Sequence, residues 1–511
     1  MTHLNRFRRI DVLIAILALA AIAVSLWNLR AATQGVDRSH VTVGPTPVTV
    51  YRPTQGGPAP VVLIAHGFAG SQQLMQSFAL AFARNGYIAV TFDFAGHGRN
   101  PQPMTGNITR EDGATRSLLA ETQAVADHAR GLGDGRLAVL GHSMASDIVV
   151  RFAQAAPDVA ATIAVSMFSP VVTATTPRNL LVITGEWEGM LKREALRAVG
   201  LAIAPQEAEA GVTYGDPAAG SGRRAAVSPH VEHASVLFSQ ASLQEAVGWL
   251  DLTFGVSRAT PPVIDARGPW IALLIAGAVM LARPLSRVLP RIAQPATGAN
   301  LGWRSLWLPL LLPMIATPLI LRIVPTHFLP VLVGDYLAVH FGTYGLLTGL
   351  CLMWVLHGAA FRPRGSARLI LFAAAAVTAY SFIAIAWPVD SFVTSFVPAP
   401  GRMLLALVML AGTLPYFAAD EWMTRGQAAA RGAYAASKLA FLASLSIAIG
   451  LDFERLFFLV IIVPVIVLFF LVYGLFSRWA YRATGHPLVA AIANAVAFAW
   501  AIGVTFPLLA G

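Results

Sequence analysis

The residues best suited to chemistry are Gly141-His142-Ser143-Met144-Ala145. They follow an apolar run, Leu137-Ala138-Val139-Leu140, and open a helical-looking stretch from Asp147 to Gln154. A strand, a tight turn with serine at its apex and then a helix make a nucleophile elbow, which projects a hydroxyl out of a sheet toward a base. Strand and helix nearly touch at such a turn, so small neighbours are needed, and Gly141 and Ala145 supply them. A serine hydroxyl reacts poorly until a base takes its proton and a third group orients that base. Two carboxylates and two imidazoles compete for these roles. The strand Leu181-Val182-Ile183-Thr184 runs into Gly185-Glu186-Trp187-Glu188, placing Glu186 and Glu188 at the C-terminal edge of a sheet, where ligands bind in open α/β folds. His230 and His233 lie in Ser228-Pro229-His230-Val231-Glu232-His233-Ala234-Ser235.

A sheet would bring groups this far apart in the chain to one edge. Strands are predicted at Val61–Ala65, Tyr87–Phe92, Arg136–Leu140, Ala161–Val165 and Leu180–Thr184. Helices are predicted at Leu74–Asn85, Thr115–Gly131, 147–155 and Ser242–Leu252. Such alternation predicts an α/β architecture: a mostly parallel sheet with helices on both faces. The connection Ser166 to Arg178 is short and leaves little room for a lid. Met167, Phe168 and Trp187 near the sheet edge suit an acyl chain, or equally plain packing. Asp93 and His97, beside the turn glycines Gly96 and Gly98, read as loop-shaping residues.

Across residues 41–254 the chain resembles the α/β-hydrolase superfamily. The resemblance is carried by His66-Gly67-Phe68, by Phe92-Asp93-Phe94-Ala95-Gly96-His97-Gly98-Arg99 and by the elbow itself. That family runs serine, acid, histidine along the chain. The resemblance implies Ser143 as nucleophile, His233 as base and Glu188 as acid, with the backbone N–H groups of Phe68 and Met144 as the oxyanion hole. Ala145 replaces the usual final glycine, and glutamate replaces the more frequent aspartate; neither change removes a required chemical group.

The rest of the chain is of another kind. Of 511 residues 56% are hydrophobic and 12% charged, about half the charged fraction of a soluble protein. Residues 30–268 hold 18 Lys/Arg against 19 Asp/Glu, so the net charge of +10 lies elsewhere. This argues against nucleic-acid binding, where a basic patch belongs on a folded surface. The single cysteine, Cys351, precludes an intrachain disulfide. Ile10–Leu29, preceded by Arg6, Arg8 and Arg9, is an apolar run of bilayer-spanning length. It is predicted to stay as an uncleaved signal anchor, with a cleaved signal peptide as the competing reading. Eight further spans are predicted, centred on 270–283, 305–323, 341–360, 369–387, 402–418, 439–451, 456–476 and 488–509; the short 439–451 is also compatible with a re-entrant element. Pro309, Pro313 and Pro318 suggest a kink. Arg283-Arg287-Arg291, Arg362-Arg364-Arg368, Arg425-Arg431-Lys438 and Arg478-Arg482 fall in every second connection. The intervening ones, Pro325–His340 and Pro388–Pro400, carry only Asp335 and Asp390. With the N-terminus inside, the positive-inside rule puts residues 30–268 outside the cytoplasm.

Within the spans, Glu421 and Asp420 stand four and five residues from Arg425, near the spacing of an ion pair on one helix face. Asp420-Glu421-Trp422-Met423-Thr424-Arg425 weakly resembles a motif of CAAX-type intramembrane proteases, and Thr484-Gly485-His486-Pro487-Leu488 to Asn494 that family's last helix. The histidines expected downstream are missing, so the resemblance implies kinship of structure without the protease chemistry.

The expectation is therefore a multi-pass membrane protein in three parts: an anchor (1–29), an extracytoplasmic α/β-hydrolase domain (30–268) and a polytopic domain (269–511). Its predicted activity is serine hydrolysis of an acyl ester, thioester or amide, without cofactor or metal, on a lipid-like small molecule at the bilayer. Acyl transfer by the same residues, or ligand binding without turnover, are the alternatives.

Overall fold

The computed structural model describes residues 9–106, 111–357, 365–399 and 401–510; Arg6, Arg8, Arg362 and Arg364 lie outside them. The chain forms two compact units: one of Val24–Leu273, Val389–Ala399 and Pro507–Gly511, the other of Met1–Ala23, Leu274–Pro388 and Pro400–Phe506.

After helix α1 (Arg9–Ala31), the first unit is built on a nine-stranded sheet. Its elements are β1 (Val36–Val43), β2 (Thr46–Pro53), β3 (Val61–Ala65), α2 (Gln76–Arg84), β4 (Ile88–Phe92), α3 (Arg116–Arg130), β5 (Leu137–His142), α4 (Met144–Ala155), β6 (Val159–Val165), β7 (Leu180–Gly185), α5 (Gly189–Gly200), β8 (Thr213–Tyr214), β9 (Arg223–Ser228) and α6 (Gln240–Phe254). The strand order is β1-β2-β4-β3-β5-β6-β7-β9-β8, and the run from β4 to β9 is parallel. β3, β4, β5 and β7 are buried along their whole length, as strands covered on both faces must be, and their sequences are accordingly near-continuous apolar runs. Side chains alternate between faces. Val62, Ile64, Leu140, Ile163 and Ile183 pack with α2 and α6, while Val61, Leu63 and Val139 pack with α3 and α4. This is the α/β-hydrolase fold. The register aligns Ala65 with Gly141, His142 with Val165 and Gly185 with Ser228. The C-terminal ends of β3, β5, β6, β7 and β9 thus share one edge.

Three features differ from the sequence reading. The β1–β2 hairpin, antiparallel to β4, adds an edge that the polar run Asp37-Arg38-Ser39-His40 conceals. β9 begins with two arginines, yet Arg223 is buried. The helix expected from Leu74 opens as a 3-10 turn, Gln72–Met75, before α2.

The remaining helices are α7 (Arg267–Leu285), α8 (Trp303–Ile323), α9 (Gly334–Val355), α10 (Ala367–Ser381) continuing into α11 (Trp387–Phe392), α12 (Arg402–Met423), α13 (Ala433–Leu451), α14 (Phe453–Thr484) and α15 (Pro487–Thr505). Among the described residues nine helices, counting α1 and taking α10–α11 as one, are long and apolar enough to cross a membrane. Boundaries move in informative places. α9 starts at Gly334, so Asp335 and His340 belong to the helix and not to a loop. α13 is a full 19-residue helix, and α15 stops at Thr505, short of the expected 509. α8 runs as one helix through its three prolines. Asp11, fully buried in α1, lies 3.2 Å from Arg283 and 3.3 Å from Arg287, near the end of α7, which makes α1 and α7 antiparallel. The acidic pair also differs from expectation. Glu421 does pair with Arg425, at 3.0 Å, but Asp420 is engaged by Ser437 and Lys438 of α13. A lysine one helix away can reach the carboxylate that faces away from Arg425.

Candidate active site

Ser143 sits between the last residue of β5 and the first of α4 with φ 54° and ψ −118°, a conformation that a non-glycine residue holds only when its surroundings over-determine it. Those surroundings are visible. The Ser143 N–H donates to Val165 O at 2.9 Å, and the Ser146 hydroxyl donates to Ser143 O at 2.5 Å. A Cβ on Gly141 would collide with the Ala145 carbonyl, so the close approach of β5 and α4 depends on that glycine.

The three predicted residues meet at the sheet edge. His233 Nε2 is 2.9 Å from Ser143 Oγ, and His233 Nδ1 is 2.6 Å from Glu188 Oε1. A carboxylate can only accept, so Nδ1 carries the proton and Nε2 is left to receive the serine hydroxyl's. The second oxygen of Glu188 accepts the Gly185 N–H and the Ser166 hydroxyl, each at 2.7 Å. Burial alone would raise the Glu188 pKa, but the hydrogen bonds from His233, Gly185 and Ser166 outweigh it and hold the carboxyl below its usual range. The rivals are engaged elsewhere. Glu186 accepts the His230 N–H at 2.8 Å, and the His230 side chain is 84% exposed.

Two contributors were not singled out from the sequence. Ser166, with φ 52°, immediately follows β6 and reaches the acid; its position beside the elbow strand is the signal that could have found it. His142 donates from Nε2 to the carbonyl of His233 at 3.0 Å, fixing the backbone that carries the imidazole. Burial, then repulsion by His233, lowers the His142 pKa to about 3, so it stays neutral.

Met144 adjoins Ser143 in the chain, and Gly67, the neighbour of Phe68, closely approaches it. Met144 opens α4, where first-turn N–H groups have no acceptor within the helix. Phe68 follows Gly67, whose missing Cβ would lie 3.0 Å from Ser143 Cβ. The turn is held by Gly70 N–H to Gly67 O, 3.1 Å, and by His66, which donates from Nδ1 to Gly67 O at 2.8 Å and accepts Phe94 N–H at 3.1 Å. Burial lowers the His66 pKa, keeping it neutral in this double role. Asp93 shapes the neighbouring loop by accepting the Gln72 and Arg99 N–H groups at 2.7 and 3.0 Å. Met167 is core, whereas Phe168 and Trp187, 60% and 65% exposed, stand at the sheet's edge with Met190. The β6–β7 connection contains no helix or strand. Among the described residues no group of three His, Cys, Asp or Glu side chains is arranged to hold a metal ion.

Residues 56–200 match the family model of serine aminopeptidase, S33. Fold and family match together give this region the α/β-hydrolase fold. Similar solved structures include an epoxide hydrolase from Vigna radiata, 24% identical over 29% of this chain and 41% of that one, with a TM-score of 0.22. A predicted CIB-like hydrolase from Thermoplasma acidophilum is 16% identical over 43% and 97%, TM-score 0.32. A Thermus thermophilus protein is 16% identical over 44% and 99%, TM-score 0.31. The chain thus spans about two fifths of the epoxide hydrolase. No curated protein matches the chain.

Proposed function

We propose that the protein is a membrane-bound serine hydrolase that cleaves acyl esters through a Ser143-His233-Glu188 triad. The observation that carries this reading is the unbroken hydrogen-bond chain from Glu188 through His233 to Ser143. Ser143 Oγ attacks the carbonyl carbon while His233 Nε2 takes its proton; Glu188 holds the imidazole tautomer and stabilises the imidazolium. The Met144 and Phe68 N–H groups receive the developing oxyanion, each donor contributing roughly 3 kcal/mol. His233 then protonates the leaving alcohol, the acyl-enzyme forms, and water activated by the same imidazole releases the acid. Exposed Phe168, Trp187 and Met190, with no lid between β6 and β7, favour an apolar acyl group over a long polar chain.

The nine apolar helices are compatible with a multi-pass membrane protein, and the arginine-bearing connections favour the N-terminus inside with residues 30–268 outside the cytoplasm. The antiparallel α1–α7 pair supports both ends of the hydrolase segment lying on the same side, whichever side that is. Hydrolysis of p-nitrophenyl esters of increasing chain length by full-length protein, with Ser143→Ala as control, tests the reading. Turnover lost in the variant is expected. Equal turnover in both would overturn Ser143 as nucleophile, and none in folded wild type would overturn hydrolysis and leave ligand binding as the role of the fold.

A further inference from the structure

Two short segments from the C-terminal half of the chain belong to the hydrolase unit: 389–399 and 507–511. The first touches the 66–71 turn, whose Gly67 closely approaches Ser143, and the loop that follows β4. Ser71, buried at the end of the His66–Gly70 turn, accepts the Ser395 N–H at 2.7 Å and bonds the Thr394 hydroxyl at 3.0 Å. Asp390 Oδ2 pairs with Arg99 at 2.7 Å, on the adjacent 93–100 loop. Its other oxygen accepts the Phe396 and Val397 N–H groups at 2.8 and 2.9 Å, so one carboxylate both folds the segment and fastens it. The second segment clasps the same 93–104 loop: Met104 N–H donates to Leu508 O at 2.8 Å, and Leu508 N–H donates to Gly96 O at 2.9 Å. Asp93 joins the two loops beneath, through its bonds to Gln72 and Arg99.

A turn that carries an oxyanion donor must be held to a fraction of an ångström, because a displacement of about 1 Å can cost a hundredfold in rate. Ser71 lies three residues beyond Phe68 on that turn, and its hydroxyl is occupied wholly by partners more than 300 residues away in sequence. We infer that residues 389–399 form a strap that positions the 66–71 turn, and with it the Phe68 N–H, making Ser71, Asp390 and Thr394 positioning residues for acyl transfer. The inference rests on the proposed role of Ser143 and Phe68. It assigns the C-terminal half a part in the chemistry beyond anchoring, since the strap connects two helices of that half.

Steady-state hydrolysis of p-nitrophenyl butyrate by full-length Ser71→Ala, Asp390→Ala, Asp390→Asn and Thr394→Val tests it, with Asp265→Asn, a carboxylate paired with Arg84 elsewhere in the unit, as control. Ser71→Ala and Asp390→Ala are expected to lower kcat roughly tenfold to a hundredfold with KM within about twofold, because a displaced donor weakens the transition state and leaves ground-state binding alone. Asp390→Asn, which keeps an oxygen for the two amides, should recover most of the rate, and Asp265→Asn should match wild type. Thr394→Val, which deletes one hydroxyl, keeps the test open if the alanine variants do not fold. Wild-type kcat in Ser71→Ala and Thr394→Val would overturn the strap. Loss of rate shared equally by Asp265→Asn would do so too, by marking a general stability effect. Failure of the underlying reading is distinct: Ser143→Ala would then retain the wild-type rate.

Discussion

At the scale of single residues, the carboxylates differ by what they accept. Glu188 accepts a hydrogen bond from His233 Nδ1 and two further ones from Gly185 and Ser166, whereas Glu186 holds only a turn. Glu188→Gln should therefore reduce kcat by on the order of 10⁴, as expected when the imidazole loses its orienting anion. Glu186→Gln should stay within about twofold of wild type. Equal losses in the two variants would contradict the assignment. Buried histidine sets a pH dependence of stability. His142 has a folded pKa of about 3, against about 6.5 when unfolded. Between these values the unfolded chain binds a proton that the folded one does not, so stability rises with pH across the window and is lost on acidification. Glu188, lowered from its usual value, acts in the same direction: its contribution is present above the ordinary carboxylate pKa and lost as pH falls through the folded one. Thermal melts should show stability declining below about pH 6.5, and His142→Gln should reduce the slope by up to about 1.4 kcal/mol per pH unit. An identical slope in the variant would contradict a neutral buried imidazole.

At the scale of elements, the elbow depends on β5 and α4 approaching within a glycine's width. Gly141→Ala places a methyl against the Ala145 carbonyl and is expected to cost about 1–3 kcal/mol, seen as a lowered denaturation midpoint with activity lost. An alanine variant as stable as wild type would show that the turn is looser than described. The central strands were legible because doubly covered strands are continuous apolar runs, and the elbow because its small residues bracket the serine. Ser143 stands out by its elbow, whereas the preference for Glu188 over Glu186 and for His233 over His230 comes from the family resemblance. What could not be read were contacts that depend on register and on distant chain. β1 of the hairpin is polar and lies at the sheet's edge. Ser166 reaches Glu188 only through the β6–β7 register, and Asp420 chose Lys438 because two helices happen to abut.

At the scale of the whole molecule, a single crossing by each of the nine apolar helices found among the described residues would put residues 30–268, 389–399 and 507–510 on one side of a membrane. The last two segments belong to the hydrolase unit, so one orientation satisfies all three. With Cys351 replaced by serine, a cysteine at Asp216 should react with a membrane-impermeant maleimide in intact cells, and one at Arg478 only after lysis. The reverse pattern would invert the topology. The central claim is that Ser143 becomes acylated because Glu188 and His233 activate it. Treating full-length protein with a fluorophosphonate and mapping the adduct by mass spectrometry tests this most directly. A single adduct on Ser143, absent from His233→Ala, is the predicted result; a folded protein left unmodified, or modified at Ser143 just as fast without His233, would contradict it.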